Sequence, residues 1–184
     1  MRAGGAIRRL CAVLALLALG GAGGARAQGV SIEYQVKAAY LAKFVPFVEW
    51  PGGALAAGAP IVLCVAGDDP FGPALTALGR EMVGDHPVHP RRLARVEPAA
   101  GTGCHVLYIR GSRAQPVAEA LAAVRGAPVL TVTDAASGDT ARGILHFVVA
   151  QNRVRFMVDA GAAAQNRLAI SSKLQSLALA GRGR

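Results

Sequence analysis

Short runs of branched apolar residues alternate with Ala/Leu-rich stretches along most of this chain, and that alternation restricts its fold more than any single motif. Residues 61–66 are continuously apolar over a length suited to a strand buried on both faces. The turn Gly67-Asp68-Asp69-Pro70-Phe71-Gly72 then leads into a helix ending near Leu78. Val83-Gly84-Asp85 turns the chain into a second strand at 87–92. A third buried run at 104–109, an Ala/Leu helix at 115–125 stopped by Gly126, and a fourth strand at 129–133 follow. Strands alternating with helices predict an α/β layered fold with a mostly parallel central sheet. Residues 144–149 and 154–158 break the pattern. Only Ala150-Gln151-Asn152-Arg153 separates them, which predicts an antiparallel hairpin at the C-terminal edge of the sheet. Flanking helices are expected at 31–45, after Asp159, and at 170–180. In the first, Ser31 is the cap, Ile32, Val36, Tyr40 and Phe44 form the core face, and Glu33 and Lys37 pair on the other side. Pro46 should end or kink that helix one turn back.

The first 27 residues read differently from the rest. Arg2, Arg8 and Arg9 precede an apolar run at 10–19, and Ala25-Arg26-Ala27 is a small-x-small site before Gln28. Ten apolar residues make about 15 Å of helix against a hydrocarbon core of about 30 Å, so a cleaved secretory leader is expected over a membrane anchor. The remaining 28–184 form one domain. The whole chain carries a formal charge of +9, and loss of the leader leaves 16 basic against 11 acidic residues, a formal +5. An exported chain with no dense basic helix or aromatic-basic strand is not expected to bind nucleic acid. The basic excess near Arg91, Arg92 and Arg95 and in the 181–184 tail fits solubility, or attraction to an acidic partner or envelope surface.

Cys11 leaves with the leader, so Cys64 and Cys104 remain as an even pair in an oxidising compartment, the condition for a disulfide. In the common 2-1-3-4 order of doubly wound sheets the first and third strands are neighbours, which would bring the two cysteines close.

Few residues suggest chemistry. Asp68 and Asp69 close the first strand, where α/β folds place ligands, but an Asp-capped turn with Pro70 opening the next helix explains them as well. The third strand ends in Tyr108-Ile109-Arg110-Gly111 and lacks the acid of a phospho-acceptor site. His86 and His89 lie on an extended segment with Pro87 and Pro90, where their rings diverge and no zinc set is completed. His105 and His146 fall inside expected strands and read as packed or hydrogen-bonded groups. Ser171-Ser172-Lys173 reads as a helix start, since a Ser/Lys nucleophile needs a spacing that puts both on one face. These residues point to no catalytic centre, metal or cofactor.

Gln35-Val36-Lys37-Ala38-Ala39-Tyr40-Leu41, Lys43-Phe44 and Phe47-Val48-Glu49-Trp50-Pro51 resemble the opening of the YfiR-like family of periplasmic regulators. The Gly67–Phe71 turn, Cys104-His105-Val106-Leu107-Tyr108-Ile109, Gly143-Ile144-Leu145-His146-Phe147, Arg153-Val154-Arg155-Phe156 and Ile170-Ser171-Ser172-Lys173-Leu174 continue the resemblance, which runs from about 33 to 177. It implies a non-enzymatic periplasmic protein that binds the periplasmic sensor region of a membrane-bound diguanylate cyclase and lowers cyclic di-GMP output and biofilm formation. It also implies a homodimer, sequestration by a peptidoglycan-associated outer-membrane lipoprotein, and a family cysteine pair at Cys64 and Cys104. A second family cysteine pair is absent here, Pro46 departs from the usual helix, and His146 stands where Asn is common. Phe47, Glu49 and Trp50 are expected as a partner surface, although core packing is the commoner use of a Trp. Asp68, Asp69 and Phe71 are expected as a ligand or partner edge, which in the alternative reading serves a periplasmic small-ligand receptor.

Overall fold

The computed structural model describes residues 30–98 and 103–179. The expected leader, its cleavage site and the 181–184 tail lie outside the described residues. Seven strands form the main sheet: β2 (Ile61–Gly67), β3 (Met82–Val83), β4 (His86–Leu93), β5 (Val106–Gly111), β6 (Leu130–Asp134), β7 (Leu145–Ala150) and β8 (Arg153–Val158). Their order is β3-β4-β2-β5-β6-β7-β8. The strands from β4 to β7 are parallel to their neighbours, while β3 and β8 run antiparallel at the two edges. The expected 2-1-3-4 order and the hairpin edge are both present. Gln151 and Asn152 take positive φ (51° and 57°) in the two-residue hairpin turn, as its twist requires. A separate ribbon of β1 (Val48–Glu49) and β9 (Ala169–Ile170) was not expected, and it takes Ile170 out of the predicted C-terminal helix.

Five helices flank the sheet: α1 (Ile32–Lys43), α2 (Pro73–Leu78), α3 (Val117–Ala123), α4 (Ala160–Gln165) and α5 (Ser172–Leu177). The strand period of two divides the core. Leu63 and Val65 of β2 face a cluster with residues of α1, α2 and α5. Cys64 and Ala66 face a second cluster built on α3. Pro46 ends α1 one turn back, as expected, and sits in a 3-10 turn at Val45–Phe47.

The buried face of α1 differs from the expected one. Lys37, Ala38, Leu41 and Ala42 are buried, whereas Ile32 is 78% exposed and Val36 is 38% exposed. A repeat of four advances about 40° per step on a helix with 3.6 residues per turn. The row from Ile32 to Phe44 therefore spirals across the helix, and only Phe44 ends fully buried.

At the carboxyl end of β2 the pairing with β5 slips between Ala66 and Gly67, and Gly67 lies against Gly111 with φ +83°. A Cβ on Gly67 would stand 2.3 Å from the Gly111 carbonyl oxygen. Gly67→Ala is therefore expected to cost about 2 kcal/mol or more in urea unfolding, from backbone strain plus collision.

Candidate functional site

The edge expected at Asp68, Asp69 and Phe71 is only partly open. Asp68 is exposed. Asp69 Oδ1 accepts from the Phe71 and Gly72 amides (2.7 and 3.3 Å), and its Oδ2 takes Arg92 Nε at 2.7 Å. Arg92 also donates to the Gly72 carbonyl, so this loop is tied to β4. The carboxylate orders the turn and does not cap α2, which starts at Pro73 after Gly72; Pro73, not Pro70, opens the helix. Phe71 is fully buried, edge-on to Tyr34 (5.7 Å) and Tyr108 (4.7 Å), and so presents nothing at the surface. Beside Asp68 lies an open crevice of about 510 Å³, lined by Arg110, Ser112, Arg113, Ser137 and Asp139 among others.

Phe47, Glu49 and Trp50 occupy the 3-10 turn and the β1 segment. Glu49 is exposed. Phe47 and Trp50 are half-buried and pack on the main core, with the Lys173 ammonium 5.7 Å from the centre of the Phe47 ring. Trp50 Nε1 is buried and has no acceptor among the described residues. Ser171 caps α5, as expected, with its hydroxyl accepting from the Leu174 amide.

Three histidines, His86, His105 and His146, are held by hydrogen bonds. His105 Nδ1 accepts from the Val62 amide (3.0 Å) and Nε2 donates to the Ala54 carbonyl (2.9 Å). His86 Nδ1 lies 2.8 Å from the Ala59 carbonyl oxygen. Among the described residues no group of three His, Cys, Asp or Glu side chains could hold a metal ion. His146 is buried with Nδ1 2.9 Å from Thr133 Oγ1. Burial, then Arg142 and Lys37, hold its imidazolium form below the ordinary pKa of 6.5, against an opposing pull from Asp134. The unfolded chain takes up this proton first as pH falls, so the contribution of neutral His146 is present above about pH 6.5 and is lost below it. Melting at pH 7.5 and 5.5 should show a smaller loss of Tm on acidification in His146→Asn than in the parent protein. An equal loss in both would show that His146 does not carry the effect.

The sequence reading missed a buried charged cluster under α1. Lys37 Nζ is completely buried, 2.6 Å from Asp134 Oδ2, and is also paired with Glu33. Tyr108 donates its hydroxyl to the same Asp134 oxygen (3.2 Å). Burial, reinforced by Asp134, pushes the Tyr108 phenol far above its ordinary value, so it stays a donor. Asp134 Oδ1 meanwhile accepts from the Ala136 amide and caps the 3-10 turn Ala135–Ser137. Two carboxylates thus compensate one buried ammonium, and the arrangement anchors α1 to the end of β6. The available signal was Asp134 itself, an acid closing an otherwise buried strand run.

Cys64 and Cys104 are bonded, with Cα atoms 5.9 Å apart, and both are buried against α3. Cys104 lies two residues ahead of β5, not inside the strand as expected.

No curated protein matches the chain. A family model described as YfiR/HmsC-like matches residues 34–179. The chain belongs to the YfiR/HmsC-like family. This is a family of periplasmic regulators of diguanylate cyclases, regulatory and not catalytic in character. The YfiR/HmsC-like match spans every strand, α2 to α5 and all but the first two residues of α1, so the disulfide, both candidate edges and the charged cluster except Glu33 fall inside it. Among the described residues no helix is long and apolar enough to cross a membrane.

Proposed function

We propose that the mature chain, starting at Gln28, represses an inner-membrane diguanylate cyclase by binding its periplasmic sensor region, and so lowers cyclic di-GMP and biofilm formation. The YfiR/HmsC-like match from 34 to 179 carries this reading. On it, residues 1–27 are a cleaved leader. A second copy of the chain and a peptidoglycan-associated outer-membrane lipoprotein are further partners. The mechanism needs no bond-breaking group. A regulator acts by binding one cyclase conformation more tightly than the other, and a preference of about 1.4 kcal/mol changes their ratio tenfold. Phe47, Glu49 and Trp50 form one surface for such a contact. A rigid body suits the task, and the disulfide and the Lys37–Asp134 pair fix the relative positions of sheet and helices. Deleting the gene should raise cyclic di-GMP, measured in cell extracts. Unchanged levels with the cyclase expressed would refute the proposal.

The crevice beside Asp68 favours a second reading, a periplasmic small-ligand receptor, because its polar lining lies at the carboxyl ends of parallel strands. A membrane GGDEF protein encoded alongside supports the repressor. A transporter or outer-membrane receptor in that place supports the receptor.

A further inference from the structure

The apolar residues that α1 does not bury are not scattered. Ile32, Val36 and Tyr40 face Val149 and Val154 of the hairpin across a groove of about 640 Å³, with Arg153 and Arg155 along it. Ile32 is 78% exposed and Val149 51% exposed. Nothing among the described residues covers this floor, and apolar surface gathered in a groove with a polar rim marks an interaction site. Arg153 and Arg155 are exposed and join none of the ion pairs of the described residues. The one acid lining the groove, Glu33, is committed to Lys37. The groove therefore offers an apolar floor and two cations that join none of these ion pairs.

We propose that this groove docks an acidic amphipathic segment of a partner protein, with its apolar row on Ile32, Val36 and Val149 and its carboxylates on Arg153 and Arg155. The proposal rests on the repressor reading and names where and by what chemistry the partner is held. Charge complementarity selects this occupant over the others. A second copy docked groove to groove would set the arginines of both copies against one another. The chain's own 180–184 segment, Ala-Gly-Arg-Gly-Arg, adds two cations and no acid. None of Phe47, Glu49 and Trp50 lines the groove, so the two surfaces can be tested separately.

The test replaces the chromosomal gene with Arg153→Glu/Arg155→Glu, with Ile32→Ser/Val149→Ser, or with a charge-matched control away from the groove, Arg80→Glu/Arg125→Glu. Cyclic di-GMP is measured beside the parent and deletion strains. Envelope abundance, Tm and light-scattering mass are measured for each protein. Both groove variants should lose repression and approach the deletion level, with abundance, Tm and mass unchanged, while the control represses like the parent. Full repression by both groove variants in a strain where deletion does raise cyclic di-GMP would overturn the groove and leave the repressor reading standing. So would equal loss in the control, or loss that appears only with a fall in molecular mass, which would make the occupant a second copy. No effect of deletion itself would remove the repressor reading and the groove proposal with it.

Discussion

Asp134→Ala should destabilise the protein by about 3–5 kcal/mol, the cost of leaving one member of a buried ion pair without its partner. Lys37 is completely buried, and its other carboxylate, on Glu33, is 37% exposed and cannot replace a contact with an equally buried one. The same substitution removes the acceptor for Tyr108 and the cap on Ala136, so the loss should fall at the upper end of the range. The pair itself need not stabilise the fold over an apolar alternative, because desolvating both charges offsets much of their attraction. Lys37→Met/Asp134→Leu should therefore recover most of the loss. Urea unfolding of the three proteins decides the matter. A single variant within about 1 kcal/mol of the parent would mean that the buried ammonium is compensated in some other way.

Loss of the disulfide is the second large effect. Cys64 and Cys104 are 40 residues apart in sequence, and on the chain-entropy model a loop of that size contributes about 4 kcal/mol by restricting the unfolded chain. Cys64→Ala/Cys104→Ala should accordingly melt well below the parent. Both sulfurs are buried against α3, so reductant should act on the native protein slowly and mainly through opening of the structure. Melting curves with and without reductant, after long equilibration, should converge for the alanine variant and separate for the parent. Identical curves for the parent would show that the cysteines are not linked.

Much of this architecture was legible because strands buried on both faces write themselves as unbroken apolar runs. Residues 61–66 and 129–133 fall within a residue of β2 and β6. The hairpin was legible from its turn, and the neighbouring positions of β2 and β5 from strand order alone. Features set by tertiary contact were not. The orientation of α1 depends on Asp134, which lies 97 residues from the lysine it receives. A local reading therefore placed Lys37 in solvent and Ile32 in the core. The β1–β9 ribbon failed for the same reason, since two-residue strands carry no periodicity. Asp69 orders its turn but caps no helix as expected, because α2 opens later, at Pro73, and Phe71 beside it went to the core between Tyr34 and Tyr108, a partnership no local pattern announces. The groove escaped notice because its two walls come from opposite ends of the chain and each looks unexceptional alone.

The most direct measurement of the central claim compares two complementing chains in the deletion strain, the full sequence and one that begins at Gln28 behind an initiator Met. Cyclic di-GMP should fall to the parent level with the full chain and stay at the deletion level with the chain lacking its leader. Equal repression by both forms would place the site of action in the cytosol and contradict the account.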